Sequence, residues 1–140
     1  ICNYCKGVYV KINYFLFWGM LGLMIELCFT AVVDLFFKKN INLKGHTSLF
    51  MFPIYAIGLT YGFDIVKGLI SIDILRYLSY PFWIWFVEIC IGYPASKIGL
   101  RIWDYNYLPK KYHWQGVISF IHFPVWIIFG ILVEVVKKAL

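Results

Sequence analysis

Phe15-Leu16-Phe17-Trp18-Gly19-Met20-Leu21-Gly22-Leu23-Met24-Ile25-Glu26-Leu27-Cys28-Phe29-Thr30 is the stretch that decides the fold. It is apolar apart from one acid and Thr30, and lies within the run 12–37, which is long enough for a full membrane crossing. Helical geometry places i, i+3, i+4 and i+7 on one face, and from Glu26 that face reads Gly19, Gly22, Glu26, Thr30 and Asp34. Small and polar residues form one stripe and bulky apolar residues the rest. Lipid offers no hydrophobic gain for helix association, so a small-residue stripe marks the packed face.

The remainder of the chain follows the same design. It is 62% hydrophobic, 21% aromatic and only 14% charged, with mean hydropathy +0.77. Soluble domains carry about 25% charged residues, and this chain lacks the polar surface that a soluble fold needs. Apolar runs cover residues 12–37, 47–63, 77–100 and 114–136, against a requirement of about 20 residues per span. The expectation is an all-α membrane protein: one domain, 1–140, of four transmembrane helices. The net charge of +6 is mostly lysine near the ends of runs, where cations meet lipid headgroups, so it does not point to nucleic acid. Lys and Arg are nearly balanced between the two sides, which leaves orientation open, including dual insertion as an antiparallel dimer. The first residue is Ile rather than Met, so residues upstream of it are expected to be missing.

Glu88 lies in the third run as Glu26 does in the first, and the phrases Glu26-Leu27-Cys28 and Glu88-Ile89-Cys90 match. Beyond each comes a second shared pattern. Gly45, Ser48 and Phe52-Pro53 recur at one constant offset as Gly116, Ser119 and Phe123-Pro124, with Tyr55 matched by Trp126. The pattern predicts two parallel helical hairpins, 12–63 and 77–136, sharing a site at their interface. Pro53 and Pro124 are expected inside spans two and four, as kinks that shape the bundle or open a cavity beside the acids.

An acid at the centre of a span costs about 2.5–3.5 kcal/mol, whereas an interhelical hydrogen bond returns about 0.6–2 kcal/mol. Two readings of the glutamates stand side by side. In one, each is a protonated carboxyl bonded to Ser48, Ser119 or Tyr55 in a dry core. In the other, Glu26 and Glu88 meet as a site for a proton, a cation or a polar substrate, lined by Ser48, Ser119, Tyr55 and Trp126. The connector 101–115 interleaves Trp and Tyr with Lys and Asp, as an interfacial girdle does, or forms a headgroup-binding surface. Within it, Asp104 either caps a helix or binds a cation. His122 reads as a packing residue. Cys28 and Cys90 read as small packing residues, and Cys2 and Cys5 make a lone C-x2-C without the second pair a zinc site needs. No metal or cofactor is expected. No phosphate-binding glycine loop or nucleophile elbow is present, which leans against an enzyme.

The ordered set of Glu26, Gly45-x-x-Ser48 running into Phe52-Pro53-Ile54-Tyr55, Glu88, Trp103-Asp104-Tyr105 and Gly116 resembles the ABC-transporter type IV membrane family, to which the transmembrane protein 229 family is similar. The resemblance covers nearly everything after residue 13. It departs in span three, where Ile91-Gly92 follow Cys90 and Ala95-Ser96 stand in place of a second acid. It implies a transport-related membrane component and carries over no catalytic residue. The expected function is therefore a transporter-like or permease-like component in a bacterial cell membrane. Its partners would be lipids and either further copies of itself or another membrane subunit. The alternatives are an intramembrane enzyme acting on a lipid or isoprenoid, with the glutamates as acid and base, and a non-catalytic scaffold.

Overall fold

The computed structural model describes residues 3–39 and 41–140, with side chains from residue 11 onward; the Cys2–Cys5 reading lies outside its described side chains. The protein is mostly helical. α1 spans Asn3–Lys38, α2 Met51–Ile57, α3 Phe63–Leu69, α4 Asp73–Lys97 and α5 Phe123–Ala139. Helical backbone is continuous from α2 to α3 through a π-helical stretch at Gly58–Gly62. Counted as one, it makes four helical segments. Two are long and apolar enough to cross a membrane, Lys11–Lys38 and Asp73–Lys97. At about 1.5 Å per residue both exceed the roughly 30 Å hydrocarbon core. Only 22% of each apolar window is buried, which sets them apart from the core helices of a soluble fold. Their outer faces carry Leu16, Met20, Met24, Phe36, Phe82 and Phe86, all exposed.

The chain divides into two compact units, residues 1–62 and 63–140. The first unit is α1, the connector after it, α2 and the π-helical stretch. Gly19 and Gly22 make the approach of α1 to α2 close. A Cβ on Gly19 would stand 2.6 Å from the Phe52 ring, and one on Gly22 2.2 Å from Tyr55. The connector folds back along α1: a Cβ on Gly45 would lie 2.1 Å from the Leu27 carbonyl oxygen. The Thr30 hydroxyl ties it there, accepting from the His46 N–H at 2.9 Å and donating to the His46 carbonyl at 2.8 Å. The small and polar stripe of α1 is thus its packed face.

In the second unit α4 and α5 pack through Tyr80, whose ring lies where a Cβ on Gly130 would be, at 2.2 Å. The fourth apolar run differs from the expectation. Residues 114–136 are not one helix: β1 (His113–Trp114) pairs antiparallel with β2 (Ile118–Ser119), and α5 begins only at Phe123. Gln115 and Gly116 have φ of 50° and 71°, and the Val117 N–H donates to the Trp114 carbonyl at 2.9 Å. Positive φ at both central residues is what a type I′ hairpin turn requires, and it ends any helix there. The second run is likewise shifted, since residues 47–50 precede α2 and helical backbone continues to Leu69.

Both repeated prolines are corrected by this geometry. Pro124 occupies the first turn of α5, and Pro53 is the third residue of α2. An N–H in the first turn has no helical acceptor, so a proline there starts a helix without kinking it. The prolines inside a helix are Pro81 and Pro94 of α4. Cys28 and Cys90 are also corrected: both are exposed rather than packed.

Candidate functional site

Glu26 and Glu88 lie well inside the two membrane-length helices, and each meets a tyrosine of its own unit. In the first unit the Tyr55 hydroxyl donates to Glu26 Oε2 at 2.5 Å. Gly22, one turn before Glu26, admits the Tyr55 ring against α1, so glycine and acid act together: one makes room for the phenol and the other accepts its hydrogen bond. In the second unit the Tyr105 hydroxyl donates to Glu88 Oε1 at 2.7 Å, with Glu88 8% exposed. Tyr105 comes from the connector after α4, not from the position that the repeat matches to Tyr55. That position is Trp126, which packs with Tyr105 and Leu108 in a buried aromatic cluster. The His122 ring stands 5.5 Å from Tyr105 and 6.2 Å from Trp126, centroid to centroid, as a packing residue.

The other expected site residues are local in their bonding. Ser48 Oγ accepts from the Phe50 N–H at 3.3 Å, a turn bond just before α2. Ser119 is fully buried on β2, and its Oγ has no hydrogen-bond partner among the described residues; its carbonyl accepts from Trp85 Nε1 at 3.2 Å. Asp104 caps no described helix, and its carboxylate is engaged within the connector. Its Oδ1 accepts from the Asn106 N–H at 2.9 Å and from Asn106 Nδ2 at 2.5 Å, and its Oδ2 pairs with Arg101 at 2.6 Å. Partial burial alone would raise this carboxyl. The Asn106 backbone and amide donors and the Arg101 charge outweigh burial and hold it below its ordinary value of 3.8. Among the described residues no group of three or more His, Cys, Asp or Glu gathers as a metal site would require.

Sequence reasoning missed a second polar centre. Arg76, just ahead of the third apolar run, is 3% exposed. Its Nε donates to Glu134 Oε1 at 2.6 Å and its Nη2 to Glu134 Oε2 at 2.9 Å. Nη2 also reaches Asp73 at 2.5 Å, and Nη1 reaches the Ile70 and Ser71 carbonyls at 3.0 and 3.3 Å. A guanidinium has five N–H donors, and these five bonds use them all. The Tyr80 hydroxyl donates to the same Glu134 Oε1. The available signal was Glu134 on the stripe of α5 with Gly130 and Trp126. A buried acid near a helix end requires a cation, and Arg76 opens the neighbouring helix. This cluster is a structural lock: Arg76 and Glu134 neutralise each other in the buried part, and the further negative charge of Asp73 is 66% exposed to the surroundings.

No protein-family model matches the chain, and no solved structure matches it.

Proposed function

We propose that this chain is a multi-pass membrane protein in which α5 and the helical segment from α2 to α3 cross the bilayer as well as the two long helices. Its role is that of a transporter-like or permease-like component. At 17 residues α5 is at the lower end of spanning length. The exposed apolar faces support the setting, since soluble monomers rarely expose contiguous apolar patches beyond a few hundred Å².

One observation carries the transport reading: each membrane-length helix holds one carboxyl bonded to one phenol, Glu26 with Tyr55 and Glu88 with Tyr105. A single neutral hydrogen bond returns less than an acid costs at membrane depth. Such a pair is a compact group for taking up and releasing a proton, or for exchanging the phenol donor for a cation. The resemblance to the ABC-transporter type IV membrane family points the same way. Four spans enclose little volume, so a second copy or a partner subunit would complete a path for anything larger than an ion.

The test is ion or proton flux into proteoliposomes carrying a pH-sensitive dye. Glu26→Gln and Glu88→Gln should abolish flux while leaving the amount of folded, inserted protein unchanged. A second reading, a non-catalytic scaffold, is favoured by the tight seat of Tyr55 on Gly22. It predicts that the same variants lose stability and that the parent protein conducts nothing.

A further inference from the structure

Past the end of α4 the second unit holds a cleft of about 170 Å³ that the glutamates do not line. Its walls are built before any ligand arrives. Gly92 lets the Trp103 ring lie against α4, where a Cβ would meet it at 2.6 Å. Trp103 Nε1 donates to the Val117 carbonyl at 2.8 Å, and the Tyr105 N–H to the Gly116 carbonyl at 3.0 Å, so the aromatic connector and the hairpin are stitched together across the floor. On the rim stand Lys97, the last residue of α4, and Arg101. Asp104 fixes Arg101 through one Nη1 bond. Of the five guanidinium donors, that is the one used among the described residues. Ser96 and the Asn106 and Gln115 amides add neutral polar groups.

We infer that this cleft is a phospholipid headgroup site, in which Lys97 and Arg101 clasp the phosphodiester at the membrane surface. The location argues for lipid, because the apolar helix stops at Lys97 and cations at the end of a span lie at headgroup depth. The chemistry argues for phosphate, because a guanidinium held at one edge presents its remaining N–H groups in the fork that phosphate oxygens fit. The volume is several times the roughly 30 Å³ of a liquid water molecule, enough for a phosphate and part of its substituent. Asp104 balances Arg101, while the Lys97 ammonium lies 5.0 Å from the centroid of the Tyr93 ring with no carboxylate partner among the described residues, so one anionic group is what balances the site. The inference rests on the membrane placement proposed above and not on transport.

The experiment is binding of short-chain phosphatidylethanolamine and phosphatidylglycerol to the full chain in detergent micelles, measured by native mass spectrometry. Inorganic phosphate and glycerol 3-phosphate serve as competitors. We expect saturable binding of lipid, weakened at least tenfold by Lys97→Gln or Arg101→Gln and unchanged by Lys110→Gln or Lys111→Gln on the neighbouring loop. All four side chains are exposed, so these variants should fold, which far-UV circular dichroism checks. Equal weakening by the loop variants would mean attraction to surface charge alone and would overturn the site. Inorganic phosphate bound as tightly as lipid would overturn the lipid assignment. Chain that partitions into membranes but binds no lipid refutes this inference alone, whereas chain that stays out of membranes refutes the placement beneath it. Glu26→Gln should bind lipid as the parent does.

Discussion

Replacing Arg76 by methionine removes a charge whose every donor is in use. The substitution strips five hydrogen bonds and leaves the buried Glu134 carboxylate with only the Tyr80 hydroxyl from this cluster. Breaking one side of a buried ion pair costs about 3–5 kcal/mol. At about 1.4 kcal/mol per decade this raises the unfolded fraction roughly 140- to 3,700-fold. The Asp73 side chain is 66% exposed, so Asp73→Asn should cost under about 1 kcal/mol. The informative variant is the double one. Arg76→Met with Glu134→Leu leaves no buried charge, and apolar replacement of a whole buried pair is often neutral or stabilising. The double variant should come within about 1–3 kcal/mol of the parent, the remainder being the stranded Tyr80 hydroxyl. The assay is equilibrium unfolding of the full chain in mixed detergent micelles, followed by tryptophan fluorescence. A double variant as unstable as the sum of the two singles, or an Arg76→Met loss below about 1 kcal/mol, would refute the reasoning.

Three other outcomes follow from the geometry. Gly22→Ala should destabilise the first unit by about 1–3 kcal/mol, because its Cβ would overlap the Tyr55 ring. Gly58→Ala, with nothing within 4 Å, should do no such damage, and denaturant midpoints compare the two. Tyr105→Phe should cost about 1–3 kcal/mol by removing a donor from buried Glu88; Tyr55→Phe should cost less, since Glu26 is only partly buried. The Asp104 carboxyl is held below its ordinary value, so the folded connector binds fewer protons there than the unfolded chain does. Its stabilisation is therefore complete above that value and drains away as pH falls through the lower folded one. Hydrogen exchange of the Asn106 amide against pH should show the loss in the parent and not in Asp104→Asn.

Much of the first unit was legible because its information is periodic. The stripe Gly19, Gly22, Glu26, Thr30 and Asp34 follows from helical spacing alone, and each of Gly19, Gly22, Glu26 and Thr30 meets Phe52, Tyr55 or His46. The same holds for Glu88 and Gly92 in α4 and for Trp126, Gly130 and Glu134 in α5, all buried. Residues 113–122 were not legible. A short apolar run does not distinguish strand from helix, and the turn rests on a glutamine at positive φ, which carries almost no compositional signal. The prolines misled because a first-turn proline and a kinking proline look the same until the helix start is known. The tie of Arg76 to Glu134 escaped because no local pattern connects residues 58 apart in sequence.

That separation bears on how the protein is made. Three of the five Arg76 donors are satisfied by Ile70, Ser71 and Asp73, all synthesised just before it; the other two wait for Glu134. At about 5–20 residues per second, 58 residues take roughly 3–12 s to emerge from the ribosome. For that interval α4 carries an incompletely neutralised guanidinium at its start, until α5 arrives. A nascent chain truncated before residue 134 would never complete the set, so the neutralisation of α4's first turns depends on α5.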